Sequence, residues 1–331
     1  MAAGNKRRTM MRPFGFVAAL CAAVVFSGAA VAQTVSVGTN PQGSLAFASG
    51  TAVSKVMTEK TGLQFRVAPF GGSSTYLPMI SRGELDFGFA NQGETAFAYK
   101  GIEIFKGRPN TNLRQVGVLY RINGTFGVPK SSAIKNILDL KGKRVPSDYT
   151  SGRIFHYITG GILATHGMTY GDLNRFPVPT FVSGINAMIQ GKVDAAYIPL
   201  NSGIGKKAMA AMNGGWRYIT FDVSPKAAKA MHNVLPYAEP NILQPSKKLT
   251  GVVAPTAMMR VQFYLVSGTH VSNDVVYKTT KTLYNNKKAL AQAFGVFNRM
   301  KPNSMPAKHS NPYHPGAIKF YKEIGLWPPK N

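Results

Sequence analysis

The sequence predicts a two-lobed α/β protein with a ligand cleft between its lobes. Three observations point there. Strand-like and helix-like stretches alternate from residue 34 onward, the pattern of a parallel α/β sheet. Two separate segments recur at one offset of 108 residues. Small polar loops stand where strands give way to helices.

Composition sets the frame. The chain has 331 residues, 44% hydrophobic and 11% aromatic, which excludes a disordered chain. One cysteine excludes a disulfide framework and a Cys-based zinc site. The net charge of +26 invites an anionic partner, whether nucleic acid, a membrane surface or a small anion.

Residues 1–32 read as a cleaved secretory signal peptide. Lys6, Arg7, Arg8 and Arg12 form its basic region, Phe14 to Val25 its apolar run, and Ala30-Val31-Ala32 its cleavage site. The run is shorter than the roughly 20 residues that span a bilayer. Cleavage removes those four cations, lowering the charge to +22, and takes Cys21 with them. An exported, disulfide-free protein is expected.

The mature chain opens on a strand, Thr34–Val37, and a turn-rich loop, Gly38–Ser44. Apolar residues then recur at helical spacing from Leu45 to Met57, with Ser44 as N-cap and Gly62 as C-cap. A second strand, Phe65–Phe70, leads into Gly71-Gly72-Ser73-Ser74 and a helix to about Arg82. A third strand runs from Glu84 to Ala90.

The repeat supplies the second lobe. Val37–Phe47 superposes on Val145–Phe155, and Gly83–Phe89 on Gly191–Tyr197, at the same offset of 108. A period this long is no solenoid repeat. It predicts two lobes of similar build. Toward the C-terminus, Val275–Phe297 reads as one helix, followed by a proline-interrupted tail and a short final helix.

Open α/β sheets bind ligands beyond the carboxyl ends of their strands. Helix N-termini there offer free N–H groups and the positive end of the dipole to an anion. Candidate ligand-binding residues are therefore Thr39, Asn40, Gly43 and Ser44 from the first loop, and Ser73 and Ser74 from the second. Asn91 and Gln92 end the third strand. Tyr149, Thr150 and Ser151 mirror the first loop in lobe two, and Asn201 ends a later strand. Arg121, near the lobe crossover, and Arg153, opening a lobe-two helix, can each pair a carboxylate bidentately.

Other functions have weaker signals. Gly203-Ile204-Gly205-Lys206-Lys207-Ala208 matches G-x-G-x-x-A and, with Asp222 beyond it, outlines an NAD-binding oxidoreductase. That motif sits late in the chain, and export separates it from a nucleotide pool. The six histidines show no metal spacing, and no catalytic motif or cofactor is expected. Asp86 and Asp194 occupy equivalent places after a helix-ending Gly, which favours structural roles. His314 is expected to pack or cap. The lysines come as scattered pairs rather than a stripe, so nucleic acid is not expected as a partner.

Several segments resemble the TAXI family of solute receptors, which serve tripartite ATP-independent periplasmic (TRAP) transporters. They are Gly38-Thr39, Gly71-Gly72-Ser73, Gly83-Glu84-Leu85-Asp86, Asp139–Val145, Gly191–Ala196 and, most specifically, His314–Glu323. The resemblance covers nearly all of the mature chain. It implies a type II periplasmic binding protein, or Venus flytrap, in which two lobes close on a small organic anion, often a carboxylate. The closed receptor, expected as a monomer in the periplasm, then docks on the transporter's membrane subunits. The family pattern places lobe one at 33–121 plus 267–331 and lobe two at 122–266. This chain departs from it at Ala46-Phe47-Ala48, Gln92-Gly93-Glu94 and Ser147–Gly152, all in the expected pocket.

Overall fold

The computed structural model describes residues 1–5 and 33–329. The export signal read over residues 1–32 therefore lies outside the described residues apart from its first five positions. The chain from Ala32 onward forms a unit of its own, and everything below concerns it.

The first half alternates as the sequence predicts. β1 (Thr34–Thr39), α1 (Leu45–Thr61), β2 (Gln64–Pro69), α2 (Ser73–Arg82), β3 (Phe87–Asn91) and α3 (Gln92–Lys100) follow in order. Ser44 caps α1, its Oγ accepting the Phe47 N–H at 3.0 Å, and Gly62 ends the helix at φ 73°. That left-handed conformation is one glycine adopts without steric cost.

A long strand, β4 (Leu113–Pro129), leads into the second half. There follow β5 (Arg144–Asp148), α4 (Ile154–Ala164), β6 (Asn174–Val178), α5 (Phe181–Ile189), β7 (Ala196–Pro199), α6 (Gly203–Ala211), β8 (Trp216–Tyr218), α7 (Pro225–Val234) and β9 (Glu239–Leu243). A second long strand, β10 (Thr256–Gly268), returns beside the first half. α8 (Asn273–Asn285), α9 (Lys287–Ala293) and α10 (Pro315–Glu323) complete the chain.

The offset of 108 holds well beyond the two segments that revealed it. β1 pairs parallel with β2 in the register Thr34↔Gln64, and β5 pairs parallel with β6 in the register Arg144↔Asn174. Both pairings therefore span 30 residues. Asp86 accepts the Ser36 N–H at 2.7 Å, and Asp194 accepts the Arg144 N–H at 2.8 Å, the equivalent bond. Both aspartates tie one strand to the loop before another, which is the structural role expected of them.

The lobes are not identical. The principal sheet runs β2-β1-β3-β10-β4-β7, with β8 on β4 and β9 on β10, while β5 and β6 form a separate two-stranded sheet. The connection is a ribbon of β4 and β10. One end of β10 pairs with β3 (Phe263↔Asn91 to Ser267↔Phe87) and the other with β9 (Thr256↔Leu243 to Arg260↔Glu239). Along the same stretch β4 pairs with β10 through Gln262↔Arg121 and Arg260↔Asn123.

The single helix expected over Val275–Phe297 is broken. α8 stops at Asn285, and Asn286 leaves helical geometry (φ −115°, ψ 31°) while its side-chain amide donates to the Thr282 carbonyl at 2.9 Å. Asparagine competes for backbone partners in this way, so an apolar stripe that runs on does not keep the helix continuous. At the last helix, buried His314 caps α10, its Nδ1 accepting the Gly316 N–H at 3.1 Å while Nε2 meets the Val271 carbonyl at 3.0 Å.

Candidate ligand-binding site

The first loop closes one side of a small cavity between the lobes. Asn40 and Ser44 line it. The Ser44 Oγ is engaged as the helix cap, and the Asn40 Oδ1 accepts the Tyr76 hydroxyl at 3.4 Å. Thr39 is fully buried just behind, and its hydroxyl has no partner. Gly43 sits at φ 87°, and its carbonyl accepts the Ile204 N–H at 3.0 Å. This loop thus touches the start of α6 across the cleft.

The same contact bears on the G-x-G-x-x-A stretch. A Cβ on Gly203 would lie 3.2 Å from the Gly43 carbonyl oxygen, and one on Gly205 would lie 2.9 Å from Ile198 of β7. Both glycines allow close packing, and the first turn of α6 is covered by the first loop.

The second loop makes the tightest approach between the lobes. A Cβ on Gly72 would lie 2.6 Å from the Gly152 Cα, and one on Gly71 would lie 2.4 Å from the Ser151 Cβ. Only glycines let the two chains meet this closely. Thr75 donates to the Ser151 carbonyl at 3.2 Å, and Ser74 Oγ accepts the Ile154 N–H at 3.2 Å. The lobes are closed.

Behind Ser73 and Ser74 lies Glu94, which the sequence set in the expected pocket but not among the candidate ligand-binding residues. It is fully buried, and both serine hydroxyls donate to its carboxylate, Ser74 at 2.8 Å. Burial pushes its pKa up to about 7, partly offset by the two hydroxyl donors. The spacing Asn91-x-x-Glu94 is a capping-box signal, and Asn91 Oδ1 does accept the Glu94 N–H at 2.9 Å. The carboxylate, however, reaches across to α2 rather than back to its own helix start.

Lobe two contributes an apolar wall. Phe155, Ile158, Phe181 and Tyr197 line the cavity, and Ile122, Val261 and Phe263 of the β4–β10 ribbon floor it. Phe155 and Phe181 stack with ring centres 4.4 Å apart. The repeat explains the arrangement. Ser73 and Phe181 are 108 residues apart, as are Ala46 and Ile154, and Asn91 and Pro199; all six line the cavity. Equivalent positions thus converge on one space, with the polar members, Ser73 and Asn91, from lobe one and only apolar members from lobe two. The sequence held that signal in the offset, but polarity alone directed attention to the small polar loops.

The remaining candidate residues lie elsewhere. Gln92, buried at the start of α3, borders the adjoining cavity with Arg121 rather than this one. Arg121 is exposed on the opposite face of the ribbon, and Arg153 is exposed in an outer groove beside Arg82 and Arg108. Tyr149 is buried against Phe155 with ring centres 6.0 Å apart. Thr150 is exposed; the Thr150 and Ser151 amides donate to Val178 and Pro179. The Asn201 side chain is committed to the Lys248 carbonyl (3.1 Å) and the Thr250 N–H (3.4 Å).

No lysine or arginine lines the cavity. The groups at its rim that favour an anion are instead helix N-termini. Leu45, Ser73, Ile154 and Phe181, the first residues of α1, α2, α4 and α5, all border it. Four helix N-termini therefore converge on one space, and helix geometry leaves the Leu45 and Ala46 N–H groups without intrahelical acceptors. The enclosed space is about 40 Å³, room for the centres of two or three waters. A solute-sized ligand needs more room than this. Among the described residues no three His, Cys, Asp or Glu side chains gather as a metal site, and no helix is long and apolar enough to cross a membrane.

Comparison with known proteins places this architecture. The model of the NMT1-like family matches residues 37–325. The chain belongs to the NMT1-like family. The match takes in every loop described above. Among solved structures, the chain is similar to a protein described as a periplasmic transporter, with 14% identity over 90% of this chain and 94% of the other, at a TM-score of 0.59. It is also similar to the alkanesulfonate-binding protein SsuA from Xanthomonas axonopodis pv. citri bound to MOPS, with 17% identity over 88% and 90% of the two chains, at 0.52. The substrate-binding protein of an amino acid ABC transporter shares 11% identity over 79% and 99%, at 0.50. The fold is thus that of the two-lobed, type II periplasmic solute-binding proteins.

Proposed function

We propose that the protein is an exported solute receptor that closes on a small organic anion with an apolar body and hands it to a membrane transporter. One observation carries this reading: four helix N-termini and an apolar wall face the same interlobe cavity. The N-termini suit an anionic head group without any arginine, and Phe155, Phe181 and Tyr197 suit an aliphatic or aromatic body.

The head group we expect is a carboxylate, as the TAXI resemblance implies. The likeness to an alkanesulfonate-binding protein supports the same head-and-tail chemistry with a sulfonate. Delivery to a TRAP transporter rests on the His314–Glu323 ending and the loop motifs. The fold itself is shared with a substrate-binding protein of an ABC transporter.

Calorimetric titration of the purified protein with aliphatic carboxylates, aromatic carboxylates, amino acids and alkanesulfonates tests the ligand class. Saturable binding of at least one apolar acid, with its uncharged amide inert, is the expected outcome. Silence across all four series would sink the reading.

A further inference from the structure

The β4–β10 ribbon has a second face. Side chains alternate across a strand, so Ile122 and Val261 point into the ligand cavity while their neighbours point away. On that far face the cross-strand pairs Gln262↔Arg121 and Arg260↔Asn123 set two arginines and two amides side by side. They line a separate cavity of about 300 Å³, joined there by Arg299 and Lys301 from the segment between α9 and α10. Three parts of the chain thus bring four cations to one space.

Few acids answer them. Glu239 of β9 pairs with Arg260 at 2.8 Å, and Asn241 of the same strand accepts from Arg260 at 3.0 Å. These contacts hold the Arg260 guanidinium still, while its Nε is buried without a partner. Among the described residues, Arg121, Arg299 and Lys301 have no ion-pair partner. Uncompensated cations facing one cavity repel one another, and an anion between them relieves that repulsion while accepting charge-assisted hydrogen bonds.

We propose that this far-face cavity is a second anion site, which takes a small oxyanion bearing two or more negative charges through Arg121, Arg299 and Lys301, with Arg260 fixed behind them. It differs in kind from the interlobe cavity. That one lacks cations, joins small polar groups to an apolar wall and suits a single head group with a tail; this one is lined by cations and amides and suits a compact hydrophilic polyanion.

The test uses calorimetry with sodium sulfate and, separately, inorganic phosphate, at an ionic strength held constant with sodium chloride. Saturable binding of at least one of them is expected. Arg121→Gln combined with Arg299→Gln, both at exposed positions, should weaken it by about tenfold or more. Lys301→Gln alone should weaken it by about threefold. Lys206→Gln with Lys207→Gln, remote exposed cations, should leave it within about twofold. Ala46→Leu, which fills the interlobe cavity, should leave it unchanged. The site is overturned by an absence of saturable binding, by equal loss in the Lys206/Lys207 pair, or by loss in Ala46→Leu. The last outcome would assign the oxyanion to the interlobe cavity. Neither the presence nor the absence of sulfate binding bears on the organic-anion titrations.

Discussion

The Ser74 hydroxyl accepts the Ile154 N–H at 3.2 Å across the cleft while donating to Glu94 at 2.8 Å. One side chain therefore joins the first turn of α2 to the first turn of α4 and ties both to a buried carboxyl group. Ser74→Ala removes the bridge and leaves Glu94 with one hydroxyl donor. The loss of a hydrogen bond worth about 1 kcal/mol in the closed state should reduce ligand affinity about fivefold. Small-angle scattering of the ligand-free protein should show a larger radius of gyration. An unchanged radius and affinity would mean that the glycine contacts at Gly71 and Gly72 hold the lobes without help.

Glu94 should make stability fall as pH rises. Its folded pKa of about 7 lies above its ordinary value of 4.5, so the folded state binds the proton more tightly. The stabilising protonation is fully present below pH 4.5 and is lost as pH rises toward and through 7. A shift of this size corresponds to about 3 kcal/mol, as an order of magnitude. Glu94→Gln, which can accept one serine hydroxyl and donate to the other, should be more stable than wild type at pH 8. It should lose that advantage near pH 4.5. Denaturant titrations at the two values measure the difference; equal gaps at both would show that Glu94 does not titrate in this range.

Two things made the fold readable in the sequence: alternation, and the offset of 108. The equivalent bonds Ser36–Asp86 and Arg144–Asp194 show why the offset survived, since each aspartate terminates the same local construction. The polar half of the cavity was legible because Ser44, Ser73 and Asn91 sit at helix starts, where short polar side chains have local work to do, and Asn40 sits in the loop just before one. The apolar half was not. Phe155 and Phe181 look like any other core residues in one dimension, and only the lobe contact at Gly72 and Gly152 reveals that they face a shared space. Arg121 shows the opposite case: it sits in the β4–β10 ribbon, and strand alternation turns it to the far face, which a one-dimensional reading does not reveal.

Phe181 should set the preference for the ligand's body. It stacks on Phe155 at 4.4 Å and occupies the place that Ser73 holds in the other lobe. Phe181→Leu keeps the site apolar at a stability cost of about 1–3 kcal/mol for the lost ring volume. Affinity for aromatic acids should fall by about tenfold, while that for short aliphatic acids changes less, since only the former lose the stacking partner. Parallel titrations of one acid from each class provide the check, and an equal loss for both would remove the aromatic pair from ligand selection.

His314 should supply acid sensitivity at a distance from the cleft. Burial pushes its pKa down to about 4 from an ordinary value of 6.5, although its bond to the Val271 carbonyl opposes the shift. The group is neutral in the folded protein, so its contribution is fully present above pH 6.5 and is lost as pH falls through about 4. This runs opposite to Glu94, and the two can be separated by mutation. His314→Asn keeps a competent N-cap for α10 but cannot gain a proton. It loses the Val271 contact, so a cost of about 1 kcal/mol at pH 7.5 is expected. That cost should shrink, or reverse, near pH 5, where wild type must hold a buried imidazole uncharged. Melting curves at the two pH values read the change directly. A gap that does not narrow toward pH 5 would show that the imidazole stays neutral in the unfolded chain as well, or that it is solvated in the folded one.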